Sequence, residues 1–222
     1  MKEYVFIPAF SLFAIFMLLM FSLFFLFMLG IPLAFAKLGI PPGIAYLLFF
    51  LSLLGSTINI PLKETGKNAG MDEIDLWGIK YRIPQTGKTI IAINFGGAII
   101  PLGISFYEIL RVLSMNEHLL FIKIIIAVLI SSIICHIFAK PVKGVGIAMP
   151  FLIPPIVAAF LGISMGGNPA VVAYISGTLG TLIGADILNL HKIRDAGGMA
   201  SIGGAGTFDG IFLAGIIAVL LV

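Results

Sequence analysis

The sequence predicts an all-α polytopic membrane protein of about seven transmembrane helices, N-terminus in and C-terminus out, with a small cytoplasmic β-hairpin in the loop after helix two. Three observations carry this class. Of 222 residues, 60% are hydrophobic and only 10% charged, with a mean hydropathy of +1.17. A soluble domain carries about 25% charged residues, so this chain lacks the polar surface to cover a water-facing globule. Apolar runs recur at the roughly 20-residue length that crosses a hydrocarbon core of about 30 Å. Lysines and arginines segregate between alternate loops, as cytoplasmic loops demand.

The first run, 5–30, is followed by Ala34-Phe35-Ala36, which has the small-x-small look of a signal cleavage site. An h-region spans about 7–15 residues; this run is far longer and reads as a retained helix. Further runs lie at 42–60, 94–113, 119–139, 145–164, 169–190 and 207–222. With seven crossings, one side collects Lys2, Lys63, Lys67, Lys80, Arg82, Lys88, Lys140, Lys143, Lys192 and Arg194. The other holds Lys37, Arg111 and Lys123. The richer side is the inside. The chain is expected to form one bundle over 1–222, with a loop at 61–93 and the polar residues of interest in 94–222.

In the long loop, Ile79–Ile83 and Thr89–Ile93 flank Pro84-Gln85-Thr86-Gly87-Lys88. β-Branched residues on both sides of a glycine-containing turn predict a hairpin between these two segments.

Spans one, two and four are nearly free of polar groups and read as scaffold. Span three carries Asn94, Gly96, Gly97, Pro101 and Gly103; span five, with its approach, carries Gly144, Gly146, Pro150, Pro154 and Pro155. Proline removes a backbone donor and clashes with the preceding turn. In hydrocarbon such a break survives only where protein or water satisfies the freed groups, so spans three and five belong inside the bundle.

Span six places Gly177, Gly180 and Gly184 among Ser176, Thr178 and Thr181, a small-residue face that ends at Asp186 and Asn189. The last span is entered through Gly203-Gly204-Ala205-Gly206-Thr207-Phe208-Asp209-Gly210. A short loop joins the two spans, so Asp186 and Asp209 are expected at one depth. Such ionisable residues near the membrane mark a functional site by default.

Three readings follow. Two close carboxylates share a proton, and can activate water and polarise a peptide carbonyl, the chemistry of an intramembrane aspartyl protease acting on a membrane-spanning peptide. The same pair can hold a small cation or proton for transport; on either reading Asn94, Gly97, Pro101, Pro150, Gly184, Asn189, Gly204, Gly206 and Gly210 are expected to line the place of substrate or ion. Or Asp209 caps the last helix and Asp186 pairs with His191, Lys192 or Arg194. Asp195 reads as a solvated charge, and His136 as an interface residue.

A net charge of +3 is too small and scattered for nucleic acid, and Cys135 alone forms no intrachain disulfide. No Cys/His ligand spacing, phosphate loop or dinucleotide fingerprint occurs, so neither metal nor cofactor is expected. Membrane lipid is the expected surrounding.

The stretches Asn94–Pro101, Gly177–Leu190 and Gly203–Gly210 resemble a family of uncharacterised archaeal and bacterial polytopic membrane proteins, a domain family of unknown function. More distantly, Gly184-Ala185-Asp186 and Gly204–Asp209 are similar to the glycine-aspartate intramembrane proteases, the presenilin and prepilin-peptidase group. Those place one catalytic aspartate in a Gly-x-Gly-Asp turn and a second on a neighbouring helix. That resemblance implies catalytic roles for Asp186 and Asp209. Here no glycine directly precedes Asp186, and two extra residues precede Asp209.

Overall fold

The computed structural model describes residues 9–65, 71–76, 79–84, 88–142, 146–193, 198–204 and 210–222. The predicted residues Gln85–Gly87, Arg194, Asp195, Gly206 and Asp209 lie outside them.

The described chain is mainly helical. Helices α1 (Ala9–Lys37) and α2 (Pro42–Gly55) are followed by strands β1 (Asn59–Thr65), β2 (Met71–Leu76), β3 (Ile79–Pro84) and β4 (Thr89–Asn94). A π-helical turn at Phe95–Ile99 leads into α3 (Ile100–Ser114), then α4 (His118–Phe138), β5 (Lys140–Val142), β6 (Gly146–Ala148) and α5 (Ile153–Met165). Helix α6 (Pro169–Thr181) runs on through a π turn, Leu182–Asp186, and a 3-10 segment, Ile187–Ile193; β7 (Gly198–Ile202) and α7 (Gly210–Leu221) follow.

Four helical stretches, Ser11–Lys37, Phe95–Ser114, His118–Phe138 and Pro169–Ile193, are long and apolar enough to cross a membrane. Helices α2, α5 and α7 are apolar but have only 14, 13 and 12 residues. At 1.5 Å per residue they reach roughly 18–21 Å, short of the roughly 30 Å hydrocarbon core.

Two expectations are corrected. The chain is mainly helical with small strands, but the strands reach further than one loop hairpin, because run 42–60 stops being helical at Gly55 and run 145–164 begins with β6. The expected pairing of 79–83 with 89–93 does not form. Strand β3 pairs with β2, while β4 is the central strand of a sheet β1-β4-β7, antiparallel to β1 and parallel to β7. Thr89, Ile91, Ala92 and Asn94 of β4 are buried; a strand so enclosed satisfies both edges, and its partners come from far along the chain.

The helix ends sort into two groups. The ends of α2 and α6 and the start of α3 meet the sheet. At the other end, Lys37 Nζ donates to the Val219 carbonyl and Arg111 Nη1 to the Leu38 carbonyl, joining the ends of α1, α3 and α7. Helix α6 runs through the middle, buried along most of its length and packed by α3, α4, α5 and α7. The proline-bearing α3 and α5 both contact α6 and α7. Helix α1 exposes its Phe and Leu side chains from Leu12 to Leu26, a surface suited to lipid.

Close approach depends on missing side chains. A Cβ at Gly180 would run into the Ser131 side chain of α4, and one at Gly177 would come within 3.1 Å of the Ala214 carbonyl of α7. Gly180→Val is expected to destabilise the protein by about 1–3 kcal/mol through overpacking, read as a lowered thermal unfolding midpoint in detergent. Gly103→Ala, where a Cβ meets nothing within 4 Å, should leave the midpoint unchanged or slightly raised.

Candidate functional site

The site starts at the end of β4. Asn94, fully buried, accepts the Gly97 N–H on Oδ1 at 2.7 Å and so caps the π turn. Its Nδ2 donates to the Ser56 carbonyl at 2.6 Å and to Asn59 Oδ1 at 3.0 Å, and Ser201 Oγ donates to the same Asn59 oxygen at 2.6 Å. One amide thus binds the end of α2, the start of β1 and, through Asn59, β7. Ser52 Oγ donates to the Gly96 carbonyl at 2.6 Å, and the Phe95 amide donates to the Ile58 carbonyl. Pro101 follows, buried, in the continuous helical stretch Phe95–Ser114, where its missing N–H leaves a carbonyl of the preceding turn to be satisfied by other groups.

The second break is in α6. From Leu182 to Asp186 the helix widens by a π turn. Gly184 is required there, since a Cβ would collide with the Ser132 carbonyl of α4. Asn189, fully buried in the following 3-10 segment, donates to the Ala185 and Gly184 carbonyls at 2.9 and 3.1 Å. Its Oδ1 accepts from Lys192 Nζ at 2.7 Å, and His136 Nδ1 lies 3.1 Å from its Nδ2. Asn189 therefore clamps the segment behind Asp186, and Lys192 works with it.

The breaks meet at Gly203. Its N–H donates to Asp186 Oδ2 at 2.9 Å. At a φ of +83° only glycine sits comfortably, and a Cβ there would stand 2.6 Å from that of Ala98 in the first π turn. Gly204 repeats the left-handed conformation at +87°.

Asp186 is half-buried on the wall of a cavity of about 290 Å³ that Thr181, Ile147, Pro154, Gly210 and Ile211 also line. Gly210, the first residue of α7, is the neighbour of Asp209 in the chain. Of the expected residues, Asp186 and Gly210 share this cavity, Gly184 sits two residues before Asp186, and Asn94 and Gly97 reach it through Gly203. Pro150 is exposed outside the lining, and Pro154 of the same proline cluster takes its place.

Sequence reasoning missed Asn59 and Ser201, and it named Gly203 and Thr181 only as parts of the glycine-rich entry to the last span and of the small-residue face. It also passed over Glu108, fully buried in α3 and 3.5 Å from Arg111 Nη1. The signal for Glu108 was available: one acidic residue three positions before an arginine inside an apolar run. Asn94→Ala should cost about 1–3 kcal/mol, because it leaves the buried Gly97 N–H and Ser56 carbonyl without their partner. A lowered unfolding midpoint, exceeding the effect of Ser201→Ala, is the expected measurement.

Residues 53–221 match the DUF1614 family, described as a protein of unknown function. No match to the chain was found among curated proteins or among solved structures. Since the match takes in most of the chain, including both π turns and the Asp186 cavity, the protein belongs to the DUF1614 family.

Proposed function

We propose that the chain is a multi-pass protein of the cell membrane that binds a proton or small cation at Asp186, with Asp209, in the service of transport. Seven crossings with the N-terminus inside and the C-terminus outside are supported by the charge segregation and by the sorting of helix ends into two groups. On this reading the sheet β1-β4-β7 lies at the cytoplasmic end, along with Asp186.

One observation carries the functional reading. Asp186 stands where the buried helix α6 leaves α-geometry, with its carboxylate on the Gly203 amide and facing a cavity that also includes the residue beside Asp209. Interrupted helices are how transporters bring backbone groups and carboxylates to an ion. Size separates the alternatives. About 290 Å³ is at the bottom of the roughly 300–1,000 Å³ range of pockets for drug-sized ligands. It is ample for a hydrated cation and short for an extended peptide.

The intramembrane aspartyl protease is the second reading, and β6 favours it. Strand β6 is the edge of a two-stranded ribbon, and its Ile147 and Ala148 line the cavity. Extended backbone beside a carboxylate is what a peptide substrate would pair with.

Purified protein in vesicles carrying a trapped pH- or cation-sensitive dye is expected to show flux that falls at least tenfold in both Asp186→Asn and Asp209→Asn. Cation-dependent thermal stabilisation should disappear with it. Full flux in both variants overturns the assignment. Cleavage of a membrane-spanning reporter peptide by the unmodified protein, lost in both variants, would move it to the protease. A topology reporter fused after Val222 is expected to read as outside, and a cytoplasmic reading removes the seven-span arrangement.

A further inference from the structure

Among the described residues, six buried side-chain oxygens have no hydrogen-bond partner: those of Ser105, Ser131, Ser132, Tyr174 and Thr178, and Oε1 of Glu108. All lie on α3, α4 or α6. A buried polar atom without a partner costs about 1–3 kcal/mol, and such atoms call for a water, an ion or a function. Glu108 is the one that can carry charge.

Its surroundings are specific. Glu108 Oε2 is 3.5 Å from Arg111 Nη1, and the same Nη1 donates to the Leu38 carbonyl in the turn between α1 and α2. The carboxyl lines a cavity of about 40 Å³ with Arg111, Met115, Glu117, Leu120 and Asn168. That volume exceeds the roughly 10–15 Å³ one water needs, and it leaves no room for a cation with its own shell. Arg111 is one-third exposed, and Met115 and Glu117 are exposed, so the cavity has a mouth at the end of the bundle away from Asp186. Inward, Ser105 is one turn back on α3, and on α6 Tyr174 is one turn on from Val171 of the cavity wall. Thr178 stands a further turn along α6, and both it and Tyr174 pack against Gly215 of α7.

We propose that Glu108 is an exchangeable proton site inside the bundle, served by a water in the cavity between α3, α4 and α6 and distinct from the Asp186 site. A proton from solvent enters at the mouth and is relayed by that water, which gives one proton to Oε1 and takes up another from the solvent side. The carboxylate becomes the acid and the water stays neutral. Oε2 then loses its attraction for Arg111, which keeps its bond to the Leu38 carbonyl. Release reverses both changes. The charged side chains lining the cavity with Glu108 are Arg111 on α3 and Glu117 before α4, and Tyr174 is the titratable residue of α6, which packs against α3; α2, α7 and the Phe95–Ile99 turn contain no charged residue. A proton suits the site better than a metal ion because the guanidinium already occupies the cationic position beside Oε2.

The test is infrared difference spectroscopy of the full-length protein in lipid, following the protonated-carboxyl band between alkaline and acidic pH. The unmodified protein should show a titrating band that survives in Asp186→Asn and in Glu117→Gln and is lost in Glu108→Gln. Glu108→Asp, which keeps an acid should the glutamine variant fail to fold, should move the band and its midpoint. Tyr174→Phe should shift the midpoint without removing the band. Absence of a titrating band in the unmodified protein overturns the proposal, and so does a band unchanged in Glu108→Gln or in Glu108→Asp. Loss of flux in Asp186→Asn with the Glu108 band intact separates this site from the one at Asp186.

Discussion

The amide of Gly203, donated to Asp186 Oδ2, joins three parts of the chain that have no local reason to meet. On one side is the π turn that ends α6; on the other, the Ala98 backbone of the π turn that begins α3 presses so closely that any residue but glycine would collide. Strand β7 delivers Gly203 to that point by running parallel to β4, whose last residue is Asn94. The cavity at Asp186 and the capped turn at Asn94 are thus two faces of one junction.

Such a junction is expensive, because each buried backbone group left unsatisfied costs several kcal/mol. The chain meets this cost with side-chain amides and hydroxyls. Asn94 and Ser52 serve the first turn, and Asn189 covers the carbonyls of Gly184 and Ala185 at the second. Glycines at positions 96 and 184 allow carbonyls of α2 and α4 to approach in place of lipid. The polar residues are therefore concentrated at the breaks of α3 and α6, and α1 is left with an apolar surface.

Helix α6 connects this junction to the opposite end of the bundle. Tyr174, Thr178 and Thr181 recur at spacings of four and three on one side of the helix. Thr181 lines the Asp186 cavity, and Asn168 and Val171 at the other end of the helix line the Glu108 cavity. Carboxyls thus stand at both ends of a helix whose length is packed by four others. Polar groups retained in such a position are costly to bury, which is the physical ground for assigning them work.

By itself the sequence determined the mainly helical, apolar character of the chain and the special character of runs 94–113, 145–164 and 169–190, because these follow from composition and from the local limits on proline and glycine. It also located strand segments at 79–83 and 89–93, which β-branching marks whatever they pair with. The partners of β4 were beyond it: β1 lies before the intervening β2–β3 pair, and β7 arrives only after α3 to α6. Register across such distances is set by enclosure of both strand edges and not by the nearest turn. Glu108 was hidden for a related reason. Charge counting along a chain reports the side of the membrane a loop occupies, whereas the depth of a carboxyl within a bundle depends on which helices close over it, and only the packing of α3 against α4 and α6 decided that.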